Sequence, residues 1–258
     1  MPKSGQARVP TPAEWDHLFA VIKAHRHPEK NTAIMQISRC LGLRVQEIAL
    51  LQIKEVARLK NTPPGFTLLK VMALPAAYTK GANALSRSQS AYHRKTVRFK
   101  VEEFARIIRH IESLAKAGAT INPEDYYPPI QSRKGKSRDL PMVDEGLRQA
   151  LFDYLVARIQ SDPGVKPSDP LFITQKGGPY SPNTLQEHMA VMLRGWAGIE
   201  KTSSHSGRRS LITNVIHQQK KSVKVAQKIA GHKHPSTTII YEEPPEEEVS
   251  DALRNVSK

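Results

Sequence analysis

The chain has 258 residues with 39 lysines and arginines against 24 aspartates and glutamates, a formal charge of +15. That is the balance of a protein whose partner is a polyanion, and an excess lying outside any low-complexity tail favours nucleic acid over a membrane surface; no apolar run is long enough to span a bilayer, and residues 1–12 lack a signal-peptide core. The single cysteine, Cys40, excludes an intrachain disulfide, a cysteine-rich zinc site and an iron–sulfur cluster, and the expected location is the reducing cytoplasm, with association to the nucleoid when on DNA.

In chain order, residues 1–10 are expected to form a short disordered arm. Thr11-Pro12-Ala13-Glu14 predicts a helix start, with Thr11 as N-cap, Pro12 at the first helical position and Glu14 completing a capping box. Trp15, Leu18, Phe19 and Ile22 give this helix a buried face, while His25 and His27 are expected to face solvent. After Pro28, Ile34, Ile37, Cys40 and Leu41 recur at helical spacing until Gly42 ends the run. Leu43 to Leu51 predicts a third helix, with Arg44 and Glu47 three apart on one face; taken alone, they read as a solvated ion pair.

Past Pro63-Pro64-Gly65, β-branched and alternating residues predict strands at Phe66 to Met72 and Lys95 to Phe99, separated by Tyr78-Thr79-Lys80-Gly81 and a basic loop. Val101 to Ala117 predicts an amphipathic helix carrying Phe104, Ile107, Ile108, Ile111 and Leu114, closed by Gly118. A second basic turn, Arg133-Lys134-Gly135-Lys136, runs into Leu140-Pro141. Another core helix holds Leu147, Leu151, Tyr154, Leu155 and Ile159, followed by a short buried strand or extended piece at Leu171 to Thr174. Ser181-Pro182 caps a helix with Leu185, Met189, Met192, Leu193 and Trp196 on one face, and its methionines are core rather than cofactor contacts. Helices are expected from Arg208 to about His217, over Ser222 to Ile229, and over the tail from Glu246 to Val256. No Walker or Rossmann glycine loop supports a mechanism driven by ATP or NAD.

The stretch from Ser203 to Tyr241 concentrates groups suited to phosphate. Arg208 offers a fork of donors matched to phosphate oxygens, His205 and His232 can donate or carry a proton, and Tyr241 has a phenol that can act as a covalent nucleophile. His232 and His234 have a metal-compatible spacing but no further ligands nearby in sequence.

Leu41-Gly42-Leu43-Arg44-Val45-Gln46-Glu47, the basic turn before Leu140-Pro141, Leu171-Phe172 with Gly177-Gly178 and Ser181-Pro182, His205 and Arg208, and Gly231-His232 with Thr237, Thr238 and Tyr241 together resemble the tyrosine recombinases, the phage-integrase family. The resemblance implies a mainly α-helical catalytic fold with a small antiparallel β-sheet or hairpin. It also implies a site-specific recombinase that cuts and rejoins duplex DNA through a 3′-phosphotyrosine intermediate. Tyr241 is then the nucleophile, Arg44 and Arg208 hold the non-bridging oxygens, and His205 and His232 add hydrogen bonds, with His205 a candidate to take the tyrosine's proton. Glu47 supports Arg44 from behind. A lysine protonates the leaving 5′-oxygen, and here the chain offers two: Lys134, favoured because its turn leads into a Leu-Pro strand, and Lys80. A gapless match puts Arg133 at the lysine position, and arginine is a poor acid with a pKa above ~12.

The same resemblance implies no cofactor and no metal, since arginines supply the positive charge. Expected partners are double-stranded DNA, further copies of the chain as a dimer or tetramer on DNA, and an accessory DNA-binding or core-binding protein; no membrane is involved. Residues 11–241 are expected to be the catalytic domain, with room for an insertion at about 75–130. Residues 242–258 are expected to form a tail helix that packs on a neighbouring subunit or on its own domain. Arg44 comes so early that the usual preceding core-binding domain is expected to be missing. Gly207 stands where the family often has leucine, and Arg209 where it often has histidine. The competing expectations are a DNA-binding accessory or regulatory protein with a vestigial site, and a topoisomerase-like or telomere-resolving strand transferase.

Overall fold

The computed structural model describes residues 7–78, 100–122, 137–232, 234–241 and 253–254. The chain divides into two compact units, residues 1–79 with 136–258, and residues 80–135.

In the larger unit, α1 (Pro12–Lys23) starts as its sequence dictates. The Thr11 hydroxyl accepts from the Glu14 N–H, the Glu14 carboxylate accepts from the Thr11 N–H, and Trp15, Leu18 and Ile22 are buried. Helix α2 (Pro28–Gln36) runs without a break into a π-helical segment, Ile37–Leu41, which Gly42 ends in the left-handed conformation. Helix α3 (Val45–Leu50) begins one residue after Arg44. Three short strands follow: β1 (Ala57–Leu59), β2 (Phe66–Leu68) and β3 (Val71–Leu74).

The smaller unit contributes α4 (Val101–Lys116), an amphipathic helix capped at Ala117 and followed by left-handed Gly118; Phe104 and Ile108 on its apolar stripe are exposed. Returning to the larger unit, β4 (Arg138–Pro141) pairs antiparallel with β3, placing Leu74 opposite Arg138 and Val71 opposite Pro141. Strands β1 and β2 form a separate antiparallel pair. Helix α5 (Glu145–Ser161), N-capped by Asp144, packs on α2 and buries Leu147, Leu151, Tyr154 and Leu155. Helix α6 (Pro182–Ala190), capped by Ser181, continues as a π-helical segment, Val191–Trp196, against α1. Helix α7 (Ser206–Thr213) likewise runs into a π-helical segment, Asn214–Gln218. Helix α8 (Val223–Ala230) ends at left-handed Gly231, and one short turn, α9 (Ser236–Ile239), leads to Tyr241. Most core side chains form one cluster around Trp15, Leu18, Ile34, Leu43, Ile48, Leu51, Leu151 and Phe172. A second, smaller cluster gathers Ile212, Val215, Ile216, Ala226 and Ala230, with Tyr241 packed on its edge.

The mainly helical fold with small antiparallel sheets agrees with the sequence reading, and several local expectations need correction. Residues 7–10 are not a free arm: the Arg8 N–H donates to the Lys201 carbonyl, its guanidinium pairs with Glu14, and Pro10 is buried. The expected strand from Phe66 to Met72 is two strands with different partners, because the chain leaves β1 at Leu69 and joins β4 from Val71. Strand β1 was not expected at all. Of the two forms expected for Leu171 to Thr174, the extended piece is the one found, with isolated bridges at Pro170 and Ile173. His25 does not simply face solvent, since its ring stacks on Trp196 with centroids 3.9 Å apart. The strand expected at Lys95 to Phe99, both candidate lysines and most of the tail lie outside the described residues. Among the described residues, no helix is long and apolar enough to cross a membrane.

Candidate active site

Arg44 sits just before α3, not inside it. Its extended backbone lets its own N–H donate to Glu47 Oε2 (2.8 Å), while its Nη1 donates to Glu47 Oε1 (3.0 Å). The pair is not solvated as its spacing alone implies. The Glu47 side chain is 0% exposed and that of Arg44 23%, and a second guanidinium, Arg138 at the start of β4, donates from Nη2 to Glu47 Oε2 at 2.7 Å. One buried carboxylate thus holds two arginines.

Arg208 comes from the first turn of α7 and is buried. Its Nη1 donates to the Gly42 carbonyl (2.6 Å) and its Nη2 to the Ala230 carbonyl. Those carbonyls lie at the C-terminal ends of the Ile37–Leu41 segment and of α8, where the backbone dipole is negative and favours a cation. Burial pushes the Arg208 guanidinium down to about 9, with Arg44 adding to the effect, so it stays charged at neutral pH.

His232 follows Gly231 directly. Gly231 has φ +62, and a Cβ there would meet Arg138 Cδ at 2.7 Å, so both conformation and space call for glycine. Burial, then the charges of Arg208, Arg44 and Arg138, push the His232 imidazole down to about 4, which keeps it neutral near pH 7. Its Nδ1 lies 2.8 Å from the buried Thr238 hydroxyl. Tyr241, half-buried, lies beside it: the two rings are 6.1 Å apart and near parallel, and Arg209 covers the tyrosine ring with its Cζ 5.6 Å from the centroid. His217 Nε2 donates to the Tyr241 carbonyl at 3.0 Å, fixing the backbone that carries the phenol.

Arg44, Arg208, His232 and Tyr241 are therefore brought into one neighbourhood, with Glu47 behind Arg44. His205 is the N-cap of α7, exposed, one turn before Arg208. Lys80 and Lys134 fall outside the described residues, but the pairing of β3 with β4 puts both in a single connection, Lys80 six residues after Leu74 and Lys134 four before Arg138. Among the described residues, no three His, Cys, Asp or Glu side chains are grouped to hold a metal ion.

Residues 83–248 match the phage integrase family. The chain belongs to the phage integrase family. The match takes in Lys134, His205, Arg208, His232 and Tyr241, whereas Arg44, Glu47 and Lys80 precede it. Tyrosine recombinase XerC of Methylobacterium sp. (strain 4-46) is 35% identical over 113 residues, 43% of this chain and 33% of that protein. XerC of Mesorhizobium japonicum is 31% identical over 135 residues, 52% of this chain and 42% of that protein. The chain thus spans a third of the length of the first relative. Among solved structures, XerA recombinase has a TM-score of 0.58 at 17% identity, over 98% of this chain and 65% of that one. XerH site-specific recombinase bound to a palindromic difH substrate has a TM-score of 0.56 at 15% identity, over 98% and 54%. Both share the fold of this chain.

Sequence reasoning missed Arg138 and the roles of Thr238, Arg209 and His217 around the tyrosine. For Arg138 a signal existed: strand alternation places it on the same face as buried Leu140, two residues on. It was hidden within a run of basic residues that reads as a solvated turn. No comparable signal marks His217, whose contact with Tyr241 spans 24 positions of chain.

Proposed function

We propose that this chain is a site-specific recombinase that cuts and rejoins duplex DNA through a 3′-phosphotyrosine at Tyr241. The observation that carries the proposal is Tyr241 stacked beside a neutral histidine on which the Arg208 and Arg44 charges act. The Tyr241 phenol loses its proton, with His205 as the candidate acceptor, and its oxygen attacks the phosphorus while the bond to the 5′-oxygen breaks. Arg44 and Arg208 offset the charge that builds on the non-bridging oxygens, which is why no metal or cofactor is called for. In the tautomer in which the Thr238 hydroxyl donates to Nδ1, neutral His232 carries its hydrogen on Nε2 and offers one more donor. The leaving 5′-oxygen takes a proton from a lysine in the β3–β4 connection, Lys134 or, alternatively, Lys80. Rejoining runs the same steps backwards, with a 5′-hydroxyl attacking the phosphotyrosine.

The fold shared with XerH, solved on its difH substrate, and the +15 charge support duplex DNA as the ligand. Further partners proposed are additional copies of this chain and an accessory DNA-binding or core-binding protein. Residues 11–241 would form the catalytic body, with residues 80–135 inserted between β3 and β4 and the tail from residue 242 available to a neighbouring subunit.

The test begins with a pool of nicked suicide duplexes of randomised sequence around the nick, from which covalently trapped DNA is recovered and sequenced. The enriched duplex should trap the wild type. Arg208→Lys keeps the charge but loses the fork that reaches two carbonyls, and is expected to lose most trapping, on the order of 100-fold. Near-normal trapping by that variant would count against an arginine clamp.

A further inference from the structure

Arg138 has no part in the chemistry above, yet it touches the site from two sides. Its side chain is largely buried, and it donates through Nη2 to Glu47 Oε2 (2.7 Å) and through Nη1 to the Ile229 carbonyl (2.8 Å) in the last turn of α8. Glu47 holds Arg44, and the Ile229 turn leads into Gly231 and His232. Gly231 is packed so closely on Arg138 that a Cβ there would fall within 3.0 Å of three of its atoms. One planar guanidinium therefore joins the start of α3, the end of α8 and the first residue of β4.

Charge gives this link a direction. Glu47 is one carboxylate between two guanidiniums, so it cannot fully neutralise either. Holding Oε2 with Arg138 fixes the carboxylate from the inside and leaves the more exposed Arg44 with surplus positive charge. Without Arg138, the buried Glu47 would keep Arg44 as its one remaining hydrogen-bonded ion-pair partner among the described residues and would draw that guanidinium inward.

We infer that Arg138 is a positioning residue, which sets the Arg44 guanidinium for phosphate through Glu47 and ties it to the His232 turn through the Ile229 carbonyl. The inference rests on the recombinase reading of the same site.

The experiment uses the full chain and the suicide duplex enriched above, with single-turnover cleavage measured at saturating protein. Arg138→Gln is expected to lower the cleavage rate by about 10- to 100-fold while retaining duplex binding, as a small misplacement of a charge-stabilising group does. Arg138→Lys can reach Glu47 or the Ile229 carbonyl but not both, so it is expected to recover the melting temperature without recovering the rate. In a Glu47→Gln background, Arg138→Gln is expected to add little further loss, because both act through one link. Arg148→Ala serves as the structural control: it removes bonds to the Leu69 and Met142 carbonyls beyond the other end of β4 and should lower stability without lowering the rate of folded protein. An unchanged rate in Arg138→Gln, a rate restored together with stability in Arg138→Lys, or losses that add in the double variant would each overturn the positioning role. Trapping by the wild type in any of those cases leaves the recombinase reading standing, whereas no covalent complex from the wild type removes both.

Discussion

Glu47 shows how much a single side chain decides here. It accepts the Arg44 N–H, one Arg44 guanidinium nitrogen and one from Arg138, all without exposure to solvent. Glu47→Ala leaves the largely buried Arg138 without its counter-ion, and breaking a buried pair in this way is expected to cost about 3–5 kcal/mol, read from the urea midpoint. A loss below 1 kcal/mol, the scale of an exposed pair, would mean the carboxylate is not buried between the two guanidiniums. His232 gives a pH signature. Its folded pKa is lowered from the usual 6.5 to about 4, so below about pH 6.5 the unfolded chain binds a proton that the folded imidazole resists. Its contribution is fully present above pH 6.5 and is lost as pH falls toward 4. His232→Gln should flatten the fall in stability across that window relative to the wild type; His188, also held down to about 4 by burial, remains in both proteins. Parallel stability curves for the two would contradict a buried neutral imidazole.

At the scale of elements, the approach of α7 to the π-helical Ile37–Leu41 segment sets where Arg208 emerges. A Cβ on Gly207 would collide with the Ser38 hydroxyl and lie 2.8 Å from the Ser38 carbonyl carbon. Gly207→Ala is therefore expected to destabilise the fold by about 1–3 kcal/mol through overpacking, seen as a lower urea midpoint. An unchanged midpoint would show that the contact is looser than this. The same contact gives a physical reason for glycine at position 207, which the sequence alone marks only as a departure from the pattern it resembles. What the sequence did reveal was local: the Thr11 capping box, the Gly42 helix end, and the apolar stripes of α1, α5 and α6 follow from spacing and cap chemistry within a few residues. What it hid was long-range. Whether Arg44 is a solvated charge or one side of a buried carboxylate depends on Arg138, 91 residues from Glu47, and strand β1 exists because β2 pairs with it. The π-helical continuations of α2, α6 and α7 keep the same apolar stripe as ordinary helix, so periodicity could not separate them.

For the whole molecule, the pairing of β3 with β4 changes how the two lysines compete. They looked like alternatives in separate turns, but they belong to one long connection, one near each end. A duplex with sulfur at the bridging 5′ position has a leaving group that needs no proton. It is expected to restore cleavage to whichever of Lys80→Ala or Lys134→Ala lost the general acid, and rescue of neither would place the acid elsewhere. On the proposed function, the charge of +15 would draw the duplex in, and the buried arginine–carboxylate link would order the groups that meet it. Everything turns on whether the Tyr241 oxygen becomes bonded to DNA. The most direct measurement is mass spectrometry of the protease-digested complex trapped on the enriched suicide duplex. The expected result is a nucleotide 3′-phosphate on the peptide containing Tyr241, absent from Tyr241→Phe; an adduct on another residue, or trapping that survives in that variant, would contradict it.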